Sequence, residues 1–66
     1  MIVYTPFWET MKRKGISTYK LEKEYGMNKN MIHNLKHNKS ITMHTLNSLC
    51  QTFDCDIHDI IEYKKD

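Results

Sequence analysis

ISTYKLEKEYGMNKNMIHNLKHNK, residues 16–39, is the stretch that decides the fold. Ser17 or Thr18 is suited to cap a short helix. That helix carries Tyr19, Leu21, Lys23 and Tyr25 and stops at Gly26. Leu21 and Tyr25 are four apart and share a face. Gly26 stands where a side chain would obstruct a close approach or a positive φ. Asn28 then caps a second short helix reaching about residue 37. Its apolar pair is Ile32 and Leu35, with Met31 at the edge, while Lys29, Asn30, His33, Asn34 and His37 fall on the other side. Asn38 closes it, because Asn tolerates a left-handed backbone better than most residues. With Leu21, Tyr25, Ile32 and Leu35 turned inward, the spacing predicts two helices locked across a tight turn.

Outward from this pair, the chain reads as helical at both ends. Upstream, Thr5 is expected as an N-cap with Pro6 at the favoured first position. Phe7, Trp8 and Met11 follow, the basic run Lys12, Arg13, Lys14 complements the helix dipole, and Gly15 is a natural stop. Downstream, Thr42 opens a helix whose Leu46, Leu49, Cys50 and Phe53 form one apolar stripe, with Asp54 in the terminating turn. Asp56 and Asp59 frame a last short helix, from which Ile57, Ile60 and Ile61 pack back, and Tyr63, Lys64, Lys65 and Asp66 are expected to fray. The predicted fold is all-α, with five short helices. At 66 residues it makes one domain over 1–66 with its core at about 6–63. Such a length buries a modest core of about a dozen side chains and leaves no room for a cleft between lobes.

Charge is distributed unevenly. The net charge is only +2, but from Tyr25 to Phe53 there is no Asp or Glu, while Lys29, Lys36, Lys39, His33, His37 and His44 lie within. A cationic middle with acids at both ends suits a polyanion such as nucleic acid. Two short helices across a Gly turn, the second amide-rich and acid-free, is how a helix-turn-helix looks in sequence. In such motifs the N-terminus of the second helix enters the major groove first. There Lys29 matches guanine O6 and N7, Asn30 matches adenine N6 and N7, His33 follows one turn on, and Asn34 reaches a base or a phosphate. Ser17 and Thr18, at a helix start with free N–H groups, suit phosphates, as do His37 and Lys39 beyond the second helix. Asn28, the cap of that helix, is placed with the phosphate contacts.

The segment resembles the helix-turn-helix of the Xre family, the group containing phage lambda repressor and Cro. ITMHTLNSLCQTFDCDIHDIIEY, residues 41–63, is similar to that family's fourth and fifth helices, ending in DII at 59–61. The resemblance covers about residues 6–63. It implies a lambda-repressor-like, cytoplasmic DNA-binding regulator, acting as a homodimer on a pseudo-palindromic operator of double-stranded DNA. It puts base reading on Lys29, Asn30, His33 and Asn34, and phosphate contacts on Thr18, His37 and Lys39. Three features depart from the pattern. Glu22 replaces the usual Ala and Asn38 the usual Gly. An Arg–Glu pair common in the family is replaced by Met11 and Lys36. The role of Lys36 is therefore open.

Other chemistry finds little support. There is no nucleophile elbow, Gly-rich phosphate loop or paired carboxylates, so no enzyme and no cofactor are expected. His33 and His37 have a metal-compatible spacing of four, but no second ligand pair lies nearby in sequence, and Cys50 and Cys55 do not match a knuckle, so no metal is expected. Both cysteines are read as reduced. No apolar run could span a bilayer, and the N-terminus lacks the pattern of a signal peptide. The alternative reading is a protein-interaction module of antitoxin type. It draws on Val3, Tyr4, Phe7 and Trp8, which are not all expected to fit in so small a core and so predict an exposed aromatic patch.

Overall fold

Each of three helices begins where a short polar side chain accepts a backbone N–H, satisfying a group the helix leaves unpaired. Ser17 Oγ accepts from Lys20 N at 3.1 Å, Asn28 Oδ1 from Met31 N at 2.7 Å, and Thr42 Oγ1 from Thr45 N at 3.0 Å. The helices that follow are α2 (Thr18–Lys23), α3 (Lys29–Lys36) and α4 (Met43–Phe53). The computed structural model describes residues 1–65. Among these, α1 (Thr5–Lys14) is the fourth α-helix.

The first helix departs from the expected cap. Thr5 is its first helical residue, and the cap position falls to Tyr4, whose side chain makes no capping bond. The helix stops at Gly15, whose φ of 69° is the left-handed geometry that favours glycine. Between α2 and α3 the chain unwinds earlier than the sequence implies. Glu24 is the cap, and Tyr25 lies in the turn. Tyr25 is consequently 43% exposed rather than turned inward, although its ring rests against Phe53 at 4.9 Å.

Five helices are not found among the described residues. The expected fifth is a single 3₁₀ turn, Ile57–Asp59, held by Asp59 N to Asp56 O and Ile60 N to Ile57 O, both at 3.0 Å. Its capping box is complete: Asp59 Oδ2 accepts from Asp56 N at 3.0 Å. The turn buries Ile60 fully, but Ile57 stays exposed and Ile61 is half-buried. Nor do Tyr63 and Lys64 fray. Strand β1 (Ile2–Val3) pairs antiparallel with β2 (Glu62–Tyr63), Ile2 opposite Tyr63 and Val3 opposite Glu62. Lys64 N continues the ladder to Met1 O at 2.7 Å. The expectation for Asp66 lies outside the described residues.

The core joins α1, α2, α3 and α4 through Phe7, Met11, Leu21, Ile32, Leu35, Leu46, Leu49 and Phe53, with Ile60 from the 3₁₀ turn. Phe7 meets both Trp8 and Phe53 edge-on, at 4.9 and 6.1 Å, a favoured arrangement of aromatic rings. The expected exposed aromatic patch is not there. Val3, Tyr4 and Phe7 are buried and Trp8 is half-buried. The two-stranded ribbon and the C-terminus of α3 make room for them.

Candidate nucleic-acid interface

The face of α3 away from the core carries Lys29, Asn30 and His33, all exposed, with Asn34 half-buried beside them. Ile32 and Leu35, on the opposite side, are 6% and 1% exposed and fix which face looks outward. Among the described residues, the side chains of Lys29, Asn30 and Asn34 form no hydrogen bond or ion pair. Their donors and acceptors are therefore directed to solvent. His33 and His37 stack instead, their rings 4.3 Å apart and tilted by 42°. No group of three or more His, Cys, Asp or Glu side chains among the described residues gathers to hold a metal ion.

Ser17 and Asn28 serve the fold as caps, which uses acceptor lone pairs. The Ser17 hydroxyl proton and the Asn28 amide N–H groups remain as donors. Thr18 is half-buried, and His37 and Lys39 are exposed. The structure thus sets these five residues around α2, the turn and the end of α3, flanking the bare face of α3 along the chain.

The opposite end of α3 contains residues that sequence reading missed. Its last carbonyls need partners from outside the helix. Trp8 Nε1 donates to Leu35 O at 3.1 Å. Tyr4 Oη donates to Lys39 O at 2.6 Å. Asn38, at φ 55°, accepts from Tyr4 N through its Oδ1 at 3.0 Å. One residue of α1, its cap and the loop after α3 are thereby tied together. Burial pushes the Tyr4 phenol above its ordinary range, partly offset by the Ile41 backbone N–H.

This brace gives the departures from the family pattern a physical sense. Glycine at position 38 would supply the left-handed turn but no acceptor for Tyr4 N. Met11 is buried in the core at 1% exposure, so no charge is left there. Lys36 is exposed, with its Nζ 6.0 Å from the centre of the Trp8 ring, a cation–π contact. The sequence signal for the brace is the cluster of aromatics near the N-terminus, which by itself does not show the distant carbonyls those side chains meet.

Two capped helices across a Gly turn, packed on α1 and α4, define a helix-turn-helix domain. The family model for the Cro/C1-type HTH DNA-binding domain matches residues 7–66, and the chain belongs to that family. A crystal structure of the transcriptional regulator VanUg (form II) has a similar fold, with a TM-score of 0.85 and 23% identity, covering 98% of this chain and 87% of that one. No curated protein matches the chain. No helix among the described residues is long and apolar enough to cross a membrane.

Proposed function

We propose that the protein is a sequence-specific regulator of transcription that reads the major groove of double-stranded DNA with α3. The observation that carries this is the bare outer face of α3. Lys29, Asn30 and His33 are exposed there, and neither Lys29 nor Asn30 is engaged by another of the described residues. Polar side chains whose hydrogen bonds are left to solvent on a rigid helix are what base edges require. Asn30 pairs with an adenine and Lys29 with a guanine, while His33 and Asn34 extend the reading along the helix. Each bidentate contact discriminates by roughly 1–3 kcal/mol. Ser17, Thr18, Asn28, His37 and Lys39 take phosphates on either side and set register rather than sequence.

The absence of any acid from Tyr25 to Phe53 supports the same reading, because no carboxylate in that stretch would repel a phosphate. The matching operator is a pseudo-palindrome with a second copy of the chain on its other half, the arrangement common to dimeric helix-turn-helix proteins. The interaction-module alternative loses its main support, since Val3, Tyr4 and Phe7 are core residues.

The test is titration onto the DNA flanking the gene at several salt concentrations. Each neutralised phosphate adds roughly 0.9 to the slope of log K against log salt. A slope steeper than about −2 is expected from the positive charges of Lys29, Lys36 and Lys39 close to the DNA backbone. A flat response would remove the DNA reading and leave the partner-binding one.

A further inference from the structure

The end of α4 places the two cysteines of the chain at special positions. Asp54 adopts a left-handed conformation with φ 48° and ψ 57°. Cys55 N donates to Cys50 O at 3.1 Å, and Asp54 N donates to Gln51 O at 3.4 Å. This pair of bonds, one closing six residues and one closing four, is a Schellman motif. In that motif the residue after the left-handed one and the residue five before it frequently meet side by side across the helix end. In most proteins the two are apolar. Here they are Cys50 and Cys55.

We infer that Cys50 and Cys55 are a built dithiol, able to close into a reversible internal disulfide without rearrangement of the fold. Both are free thiols and both are half-buried, so a small oxidant reaches them. The 3.1 Å hydrogen bond between their backbones brings the two residues together across the helix end, the close approach that a disulfide needs. The Cys55 thiol agrees: burial chiefly raises it, and Cys50 adds to the rise.

The oxidant class is a small-molecule disulfide such as glutathione disulfide. One cysteine thiolate attacks a sulfur of the oxidant, forming a mixed disulfide and releasing one glutathione thiolate. The second cysteine thiolate attacks the protein sulfur of that mixed disulfide, forming the Cys50–Cys55 bond and releasing the second glutathione thiolate. Two electrons pass to the oxidant, and the two thiol protons leave to the released thiolates. A dithiol reductant reverses both steps. None of the residues proposed to contact DNA takes part, so this inference stands or falls separately from the functional reading.

The experiment equilibrates the full chain with reduced and oxidised glutathione, folded and in 6 M urea, and quantifies the products by mass. The folded chain is expected to lose about 2 Da as a monomer and to titrate for no free thiols, with dithiothreitol restoring both. A native geometry that favours the bridge makes the effective concentration of the thiols at least about tenfold higher folded than in urea. By the same cycle, oxidation raises Tm by about 5–15 °C. Cys50→Ser and Cys55→Ser should each stop at a single glutathione adduct. The inference is overturned if the folded chain yields only mixed disulfides or cross-linked dimers. It is equally overturned if its effective concentration does not exceed that in urea, because the fold then does not hold the thiols together.

Discussion

The two ends of α3 are built in opposite ways. At the N-terminal end, the side chains of Lys29 and Asn30 meet no hydrogen-bond partner among the described residues. At the C-terminal end, Trp8, Tyr4 and Asn38 bind the last turn and the loop beyond it to α1 through three hydrogen bonds between 2.6 and 3.1 Å. A helix that must present side chains to a groove has to leave them unpaired, and a short helix with unpaired side chains needs rigidity from elsewhere. The contrast teaches that the end proposed to read DNA and the end that is held are separate parts of one eight-residue element. Substitutions at one end should therefore alter discrimination, and substitutions at the other should alter stability.

The largest effect is expected at Trp8. Trp8→Ala removes the donor to Leu35 O and the edge contact with Phe7. A loss of about 3 kcal/mol follows from the size of the deleted ring, lowering Tm by about 12 °C or more in a domain this small. Thermal unfolding followed by circular dichroism measures it. A change of under about 1 kcal/mol would show that α3 does not depend on the brace.

Asn38 divides the brace into its parts. Asn38→Ala loses the acceptor for Tyr4 N and puts a β-carbon with no compensating hydrogen bond at φ 55°, a combined cost of about 2 kcal/mol. Asn38→Gly keeps the backbone geometry and loses only the bond, so about 1 kcal/mol is expected by denaturant unfolding. Equal losses in the two variants would mean that the side-chain bond to Tyr4 carries the whole effect.

A smaller effect should come with pH. Burial raises the Tyr4 phenol above its ordinary value of 10.0. The neutral form is thus favoured in the fold, and this stabilising contribution is complete below about pH 10. Above it the unfolded chain loses the proton first, and stability falls by about 1 kcal/mol per pH unit until the folded phenol titrates. Tyr4→Phe should flatten that part of the alkaline unfolding curve.

Much of the helix-turn-helix was legible because its signals are local. Caps at Ser17, Asn28 and Thr42, the turn at Gly26, and the apolar pair Ile32 and Leu35 each act within a few residues. What was not legible depends on distant pairing. Ile2–Val3 and Glu62–Tyr63 are two-residue strands with no periodicity of their own, meeting only because α1 and the 3₁₀ turn pack together. Thr10 Oγ1, which donates to Asp59 O at 2.8 Å, is one of the bonds that join them. Tyr25 does not keep its predicted inward place because α2 ends at Lys23, before the helix reaches it. Trp8 and Tyr4 were counted as surplus because sequence does not show the carbonyls at the end of α3 that they satisfy. Of the candidate site, the exposure of Lys29, Asn30 and His33 followed directly from helical spacing. The use of Ser17 and Asn28 as caps was legible too, whereas the brace that steadies them all was not.

The central claim, that the free end of α3 reads sequence, is tested most directly by Asn30→Ala. The measurement compares affinity for the protein's own operator with affinity for a scrambled duplex at one fixed salt concentration, alongside Tm. Wild-type protein should prefer the operator, and the variant should lose roughly tenfold of that preference with Tm unchanged. An unchanged preference, or a preference lost only in step with stability, would contradict the claim and make Asn30 a residue of the fold.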